Sequence, residues 1–423
     1  MRAKITAILI LMMTNFVCEA QDGIFVDCIL KRLIEEAIEN NSSLQIAELN
    51  VEQAEIMLSS ARLTYLPSFV FTPSVSMANP LAGEKNHSYA LPVTMSWEFS
   101  LGGREKGEKT VAKANLQQLQ EEYRYTKVLI ASSVANAYYT LVMLDWQKSI
   151  TQESIINQEA TLSVIQALKQ VGRMDEIAVN QAESRLQAIR ISIGVLELQI
   201  SKVETALSLL LGRQAGEIER NCLSDVLPPA IDPAKPIELQ QLSQRPDVLA
   251  AEYALKKACG NLTIAKSELY PKIKIDFEGG WSNYIGAVVE PQKLISSLIG
   301  SLTQPLFDRK RLVSDKKVAE LQVKQARSAF EYALMSAAGE LRDAIAECKN
   351  AQCRQILRQK QVEAAEKAFE NSKLMLSCSQ TMTYMDILSA QDLLLTAKMQ
   401  QAADFLEYQQ ALISLYKALC CDN

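Results

Sequence analysis

The chain has 423 residues, with 44 Lys+Arg against 49 Asp+Glu, a formal charge of −5 and 48% apolar residues. That composition excludes whole-chain disorder, and its acidic balance argues against nucleic acid, whose phosphates need a basic face. A single histidine, His87, argues against His-based catalysis and multi-His metal sites, while 15 Gly, about half the usual share, disfavours phosphate-cradling loops and all-β folds.

Arg2 and Lys4 precede an apolar stretch from Ile5 to Met13, and Cys18-Glu19-Ala20 offers small residues at a cleavage point. This is the layout of a secretory leader over residues 1–20, too short to cross a membrane as a helix. Cys18 opens a second reading as a lipid-modified N-terminus. Asn15-Phe16-Val17 fits that poorly, because a small residue is expected just before such a cysteine. The later cysteines (Cys28, Cys222, Cys259, Cys348, Cys353, Cys378, Cys420, Cys421) show no zinc spacing and read as small buried hydrophobes. No later stretch has 18 consecutive apolar residues, so no membrane-spanning helix is expected.

Glu35 to Leu66 reads as a helix. Beyond Pro67 the pattern changes to period two: Phe69, Phe71, Val75 and Met77 alternate with Val70, Thr72, Ser74 and Ser76. Asn79 to Gly83 is a turn region. Tyr89, Leu91, Val93, Met95, Trp97, Phe99 and Leu101 then alternate with Ala90, Pro92, Thr94, Ser96, Glu98 and Ser100. Such alternation is the signature of a strand with two different faces. His87 falls in a polar loop before it.

No proline occurs between residues 93 and 227, so a very long helix is permitted there. Glu108 to Val171 has apolar residues three and four apart and would be about 96 Å long. Gly172 interrupts it, and a shorter helical pattern runs from Asp175 to Leu211. Arg213 to Glu238, with Pro228, Pro229, Pro233 and Pro236, reads as a linker.

The second half repeats this order. Asp247 to Tyr270 is helical. Ile273, Ile275, Phe277 and Trp281 alternate with Lys272, Lys274, Asp276 and Glu278, Gly286 to Pro291 offers a turn, and Leu294 to Phe307 is a weaker last strand. A second proline-free stretch carries a helix from Lys310 to Ser379, about 105 Å long, and another from Met382 to Cys420. Ala47-Glu48, Ala61-Arg62 and Pro67 recur in order as Ala251-Glu252, Ala265-Lys266 and Pro271. The chain is therefore expected to be an internal duplication: a first repeat over 21–212 with its hairpin tip near 172, a linker over 213–238, and a second repeat over 239–423 with its tip near 380. In each set, two short helices end to end match one long helix, which implies a helical column about 100 Å tall.

An antiparallel sheet on a soluble core also alternates. Strands about 10–14 residues long, aromatics near the strand ends and an export leader favour a membrane barrel instead. Four strands cannot close a barrel, and an open edge cannot face lipid. The strands must then be shared with other copies; a trimer would give twelve.

Several segments together resemble the TolC-like outer-membrane factors. They are Arg245-Pro246-Asp247-Val248 with Ala251-Glu252, Tyr270-Pro271, Gln304-Pro305-Leu306-Phe307-Asp308, Asp386-Ile387-Leu388-Ser389-Ala390-Gln391, Leu415-Tyr416-Lys417-Ala418-Leu419 and Leu209-Leu210-Leu211-Gly212. The Arg-Pro-Asp-Val form is similar to the branch serving resistance-nodulation-division efflux pumps. The resemblance implies a mainly α protein with transmembrane β: a long α-helical barrel of coiled-coil hairpins, and four β-strands per chain contributing to a 12-stranded trimeric β-barrel. It implies an outer-membrane, periplasm-crossing passive duct for drugs or other small toxic compounds. It further implies a homotrimer docked to a periplasmic adaptor (membrane fusion protein) and an inner-membrane efflux transporter, with no catalysis, cofactor or metal. An exit duct for type I protein secretion is the alternative within this class, and a soluble periplasmic coiled-coil scaffold the alternative outside it.

By that resemblance Asp386 matches the first acid of an Asp-x-x-Asp-Ala pattern and would form an acidic ring at the periplasmic aperture. Ser389 replaces the second acid. The plain reading of Asp386 is a helix-start residue near a positive N-terminus. Thr381, Thr383 and Tyr384 would lie at the aperture. Gly172, Arg173, Met174, Asp175 and Gln380 would form the adaptor-facing tips; the family usually has Gly where this chain has Gln380. Leu91, Val93, Met95 and Trp97 would face lipid, and Glu98, Lys272, Lys274, Asp276 and Glu278 the lumen. Arg245 and Asp247 read as structural residues at a helix start.

Overall fold

The proline map places the helices. The computed structural model describes residues 27–78, 86–221, 242–285, 288–304, 308, 310–378 and 384–419. The leader with Cys18, the Asn79–Gly83 turn, the proline-rich part of the linker from 222, and Gln380, Thr381 and Thr383 lie outside them. The elements run α1 (Cys28–Asn40), α2 (Ser42–Leu63), β1 (Ser68–Phe71), β2 (Ser74–Ala78), β3 (Asn86–Ser100), α3 (Arg104–Gln170), α4 (Glu176–Leu210), α5 (Pro246–Ser267), β4 (Lys272–Ile285), β5 (Val288–Thr303), α6 (Arg311–Cys378) and α7 (Tyr384–Leu419). Helices α3 and α6 have 67 and 68 residues. The chain divides into two compact units, neither a consecutive half. One takes the described residues of Met1–Ile46, Arg124–Pro246 and Met335–Asn423; the other is Ala47–Tyr123 with Asp247–Leu334.

The first unit is organised by side chains that close helix ends. Asp27 caps α1, accepting from the Ile29 amide at 2.9 Å, and its other oxygen accepts from the Tyr138 hydroxyl of α3 at 2.6 Å. Asn221 donates to the same carboxylate at 3.0 Å, so one acid ties α1, α3 and the segment after α4 together. Burial, and then the bond to Asp27, push the Tyr138 phenol well above its ordinary pKa, keeping it a donor.

A continuous helix over Glu35–Leu66 is not what forms: the chain breaks at Asn41. Its side chain accepts from the Ser43 amide at 2.9 Å and donates to the Leu210 carbonyl at 2.8 Å. A short amide that can cap the next helix while satisfying an orphan carbonyl at the end of α4 outweighs helical continuity there. Arg245 is 1% exposed, donating to Glu340 at 2.8 Å and to the Ala418 carbonyl at 3.3 Å, which fits its structural reading. Asp247 accepts from the Val248 amide at 2.9 Å in the first turn of α5.

Helix α3 holds a window apolar enough to cross a membrane by composition, 56% buried. The protein interior accounts for such apolarity, because Ile130, Ala131, Val134, Tyr138, Leu141 and Leu144 are all core. The cysteines depart from expectation. Cys348 is buried, and burial raises its thiol to about 11, but Cys28, Cys259 and Cys353 are exposed. Their helical faces, set by position at α1, α5 and α6, decide this more than residue type does.

The second unit carries an antiparallel five-stranded sheet in the order β1-β3-β4-β5, with β2 also on β3. The single strand expected upstream of Tyr89 is thus two. Phe71 lies opposite Val93 and Ser74 opposite Ala90, so no residue slips across the break. The cause is proline on both sides. Thr72 donates to the Pro92 carbonyl at 3.2 Å, but Pro92 has no N–H to return the bond, and Pro73 follows. His87 lies in β3 opposite Met77, not in a loop, because pairing extends to Asn86. Of the turn expected over Gly286–Pro291, 286–287 lie outside the described residues, and Val288 to Pro291 belong to β5. Pro291 fits inside it because the register shifts between Ser282 and Tyr284, and a bulge on an outer strand tolerates a missing N–H.

Where β3 and β4 meet the helices, α3 and α5 approach without room for side chains. A Cβ at Gly102 would lie 2.5 Å from the Ser267 Cα, and one at Gly260 would lie 2.7 Å from the Val111 side chain. The buried Glu105 accepts from the Ser100 amide at 2.7 Å, closing the turn from strand to helix.

Candidate functional site

Two surfaces carry the candidate residues. The first is the sheet. Cross-strand partners share a face, so the register sorts every side chain. Phe69 opposes Met95, Leu91 opposes Trp281, Met95 opposes Phe277, Trp97 opposes Ile275, and Phe277 opposes Leu298. One face is therefore apolar across all the strands, and the expected residues Leu91, Val93, Met95 and Trp97 are on it. Little of the chain covers it: Phe69 is 68% exposed, Trp281 58% and Leu298 71%. Trp97 donates its indole N–H to the Tyr65 carbonyl at 3.1 Å and stacks obliquely on Phe99 at 5.4 Å. An aromatic with one polar tip satisfied suits a boundary between apolar and wet surroundings.

The opposite face carries the charged and hydroxyl side chains, with Val70 beside Thr94 and Ile299 beside Asp276 as exposed apolar exceptions. Glu98 lies opposite Lys274, Ser96 opposite Asp276, and Thr94 opposite Glu278. Ser96 donates to Asp276 at 2.8 Å, Lys274 pairs with Asp276 at 3.0 Å, and Lys272 sits 3.9 Å from Glu98. A sheet apolar on one side and charged on the other, both sides uncovered, is built to separate lipid from water.

The second surface is the hairpin end joining α3 to α4. Gly172 adopts φ 70°, and the Arg173 amide reaches back to the Leu168 carbonyl at 2.9 Å. That wrap-around closure ends α3 and needs a residue without a Cβ penalty. Arg173 and Asp175 are exposed, and Asp175 stands at the N-cap of α4 without a side-chain cap bond. Met174 is different: it packs on Ile165, Val179, Ala182 and Leu388. Lys169 and Glu176 form an ion pair across the turn.

Leu388 belongs to α7, so the start of α7 packs on this first hairpin. Asp386 is exposed in the first turn of α7, two residues from Leu388, with Ile387 buried between them. The side chain of Tyr384 lies outside the described ones. Sequence reading missed the polar contacts that hold this region: Arg185 pairs with Asp392, Gln391 donates to Thr161 at 3.0 Å, and Lys398 bridges Glu153 at 3.5 Å and Glu366 at 3.2 Å. Further along α7, Asp404 is buried and bonded to Arg358 at 2.7 Å. No group of three or more metal-ligating residues occurs among the described residues.

A two-faced sheet and very long helical hairpins in one chain are the elements of a membrane-channel protein. The family model for the outer membrane efflux protein matches residues 33–213 and again 239–420. The chain belongs to that family, and it is an outer-membrane efflux protein with the long-helix and β-barrel fold of the TolC-like channels. It is 27% identical to the pyoverdine export outer membrane protein OpmQ of Pseudomonas putida, over 92% of this chain and 85% of that one. It is 26% identical to the cation efflux system protein CusC of Escherichia coli, over 93% of this chain and 86% of that one. Among solved structures it superposes on CusC with a TM-score of 0.86 at 23% identity, covering 94% of each chain. On the Campylobacter jejuni CmeC outer membrane channel the TM-score is 0.81 at 20% identity, covering 93% of this chain and 86% of that one.

Proposed function

We propose that this protein is the passive exit duct of a tripartite pump: a homotrimer whose copies share one 12-stranded barrel, docked to a periplasmic adaptor and an inner-membrane transporter. The observation that carries this reading is the sheet. Its apolar face is uncovered, and its order leaves β5 at one edge and, at the other, β1 and β2, which lie end to end along β3 as one strand position, so each copy supplies four. Unpaired strand edges do not persist in hydrocarbon, so β5 of one copy pairs with the β1–β2 edge of the next. The two repeats, 21–212 and 239–423 about a 213–238 linker, each supply strands and a hairpin, after removal of a 1–20 leader.

In this duct Leu91, Val93, Met95 and Trp97 face lipid. Asp386, repeated by symmetry, forms an acidic ring at the periplasmic aperture, with Thr381, Thr383 and Tyr384 beside it. The tips, with Gly172, Arg173, Met174, Asp175 and Gln380, meet the adaptor. A ring of like charge attracts cations and discourages anions. The protein performs no catalysis and needs no cofactor.

The cargo is drugs or other small toxic compounds. The relatives are named for cation, pyoverdine, toluene and solvent export. One duct architecture with such unlike cargoes supports selection by the inner-membrane partner. The test is fractionation followed by mass determination of the detergent-extracted particle. An outer-membrane particle at three times the mature chain mass supports the shared barrel; a soluble monomer overturns it. Loss of resistance to small toxic compounds on deletion supports efflux, whereas loss of one exported protein supports type I secretion.

A further inference from the structure

We propose that Glu278 sets the ion preference of the barrel stretch of the duct, because none of the described cations of the sheet's polar face pairs with it. The proposal rests on the reading above that this face lines a water-filled barrel. Among the described side chains of the sheet, the ionised ones are Glu98, Lys272, Lys274, Asp276 and Glu278, and the register puts all of them on that face.

Four of these fall into opposite-charge neighbourhoods. Lys274 reaches Asp276 at 3.0 Å, and Lys272 approaches Glu98 at 3.9 Å. Asp276 is further held by the Ser96 hydroxyl at 2.8 Å. The rows nearest the helices therefore cancel in sign, and their field dies away over a short distance. Glu278 is one row further on. Its cross-strand neighbours are Thr94 and Ser297, both uncharged, and its next neighbour on the same face of β4 is Gly280. It is exposed, and none of the described cations lies within ion-pair distance of it.

Among the described side chains, each copy thus contributes one carboxylate with no cation beside it at one level of the barrel wall. Backed by lipid on the other side of the sheet, that charge is focused into the lumen, raising the local cation concentration without binding any ion. The two lysines nearby do not offset it, since each already faces an acid. The same arrangement makes a second prediction of the same sign. Removing the Asp276 charge releases Lys274, and the described charges of that face go from net acidic to neutral.

The experiment is the reversal potential of the purified full-length protein in planar bilayers under a KCl gradient. Asp386→Asn is included in every protein compared, so the aperture ring cannot mask the barrel. Glu278→Gln should lower the potassium-to-chloride permeability ratio by about two-fold at low salt, and Glu278→Asp should preserve it. The difference should nearly vanish at 1 M salt, where the screening length is about 3 Å. Asp276→Asn should shift the ratio in the same direction as Glu278→Gln. Normal conductance with an unchanged ratio in Glu278→Gln overturns this proposal alone. Absence of any conductance in the parent protein overturns the channel reading and this proposal with it.

Discussion

The apolar residues of α3 and those of β3 have opposite fates. Ile130, Val134, Tyr138, Leu141 and Leu144 of α3 are buried within the first unit, whereas Leu91, Val93 and Trp97 of β3 remain exposed on the second. Composition does not separate the two sets. What separates them is the covering layer: the helix is packed over by apolar residues of its own chain, whereas the apolar residues of β3 have only their neighbours within the sheet and stay exposed above it. Burying such side chains is worth about 1.5–3 kcal/mol each, so an uncovered sheet of them is a strong demand for another phase. In this family that phase is the outer membrane.

The two faces of β3 separate most visibly if a charge is placed on each in turn. Val93→Arg should cost about 2–4 kcal/mol per copy in mid-bilayer and remove the protein from the outer-membrane fraction. Thr94→Arg, one residue away on the polar face, should assemble normally. Equal behaviour of the two would mean that the faces are not distinct. Next in size is the joint between sheet and helices. Gly102→Val pushes a branched side chain into the Ser267 backbone and should cost about 1–3 kcal/mol, lowering the temperature at which the detergent-solubilised assembly dissociates.

On the helical side the informative residue is Asn41. Asn41→Ala removes a cap and leaves the Leu210 carbonyl without its side-chain donor, at about 1–2 kcal/mol in the same dissociation assay. Gly172→Ala strains a residue held at φ 70° and should cost about 1 kcal/mol there. The smallest effect is at Cys348, whose buried thiol is raised to about 11 from 9.0. The folded protein keeps this proton longer than the unfolded chain does. Its contribution to stability is therefore full below pH 9 and lost as pH rises through 11. Alkylation of Cys348 followed by mass spectrometry should stay slow at pH 8 and rise steeply only above the ordinary thiol range.

Most of the architecture was legible because it depends on periodicity and proline. Helix α3 runs from Arg104 to Gln170 against an expected Glu108–Val171, and α6 from Arg311 to Cys378 against Lys310–Ser379. The two faces of the sheet follow from alternation alone. What was hidden are long-range pairings of single polar side chains. Asn41 looks like any helical amide until Leu210 is beside it, and Pro92 reads as one more strand residue until Thr72 asks for its missing N–H. At the candidate site, Gly172 announced its turn through the absence of a side chain. Met174 gave no sign that it packs inward, because that depends on Leu388, far along the chain. Arg185, Asp392 and Lys398 were equally silent, since a charged residue on a helix is ordinary until its partner is placed.

Whether the sheet divides lipid from water is read most directly by a site-by-site accessibility scan of β3. Single cysteines from Tyr89 to Ser100, in a background freed of native cysteines, would carry a fluorophore and be exposed in membranes to lipid-confined and water-soluble quenchers. Lipid-confined quenching at odd positions, including 91, 93, 95 and 97, with aqueous quenching at even ones is the result expected of a barrel wall. Aqueous quenching at every position would place the whole sheet in water and contradict it.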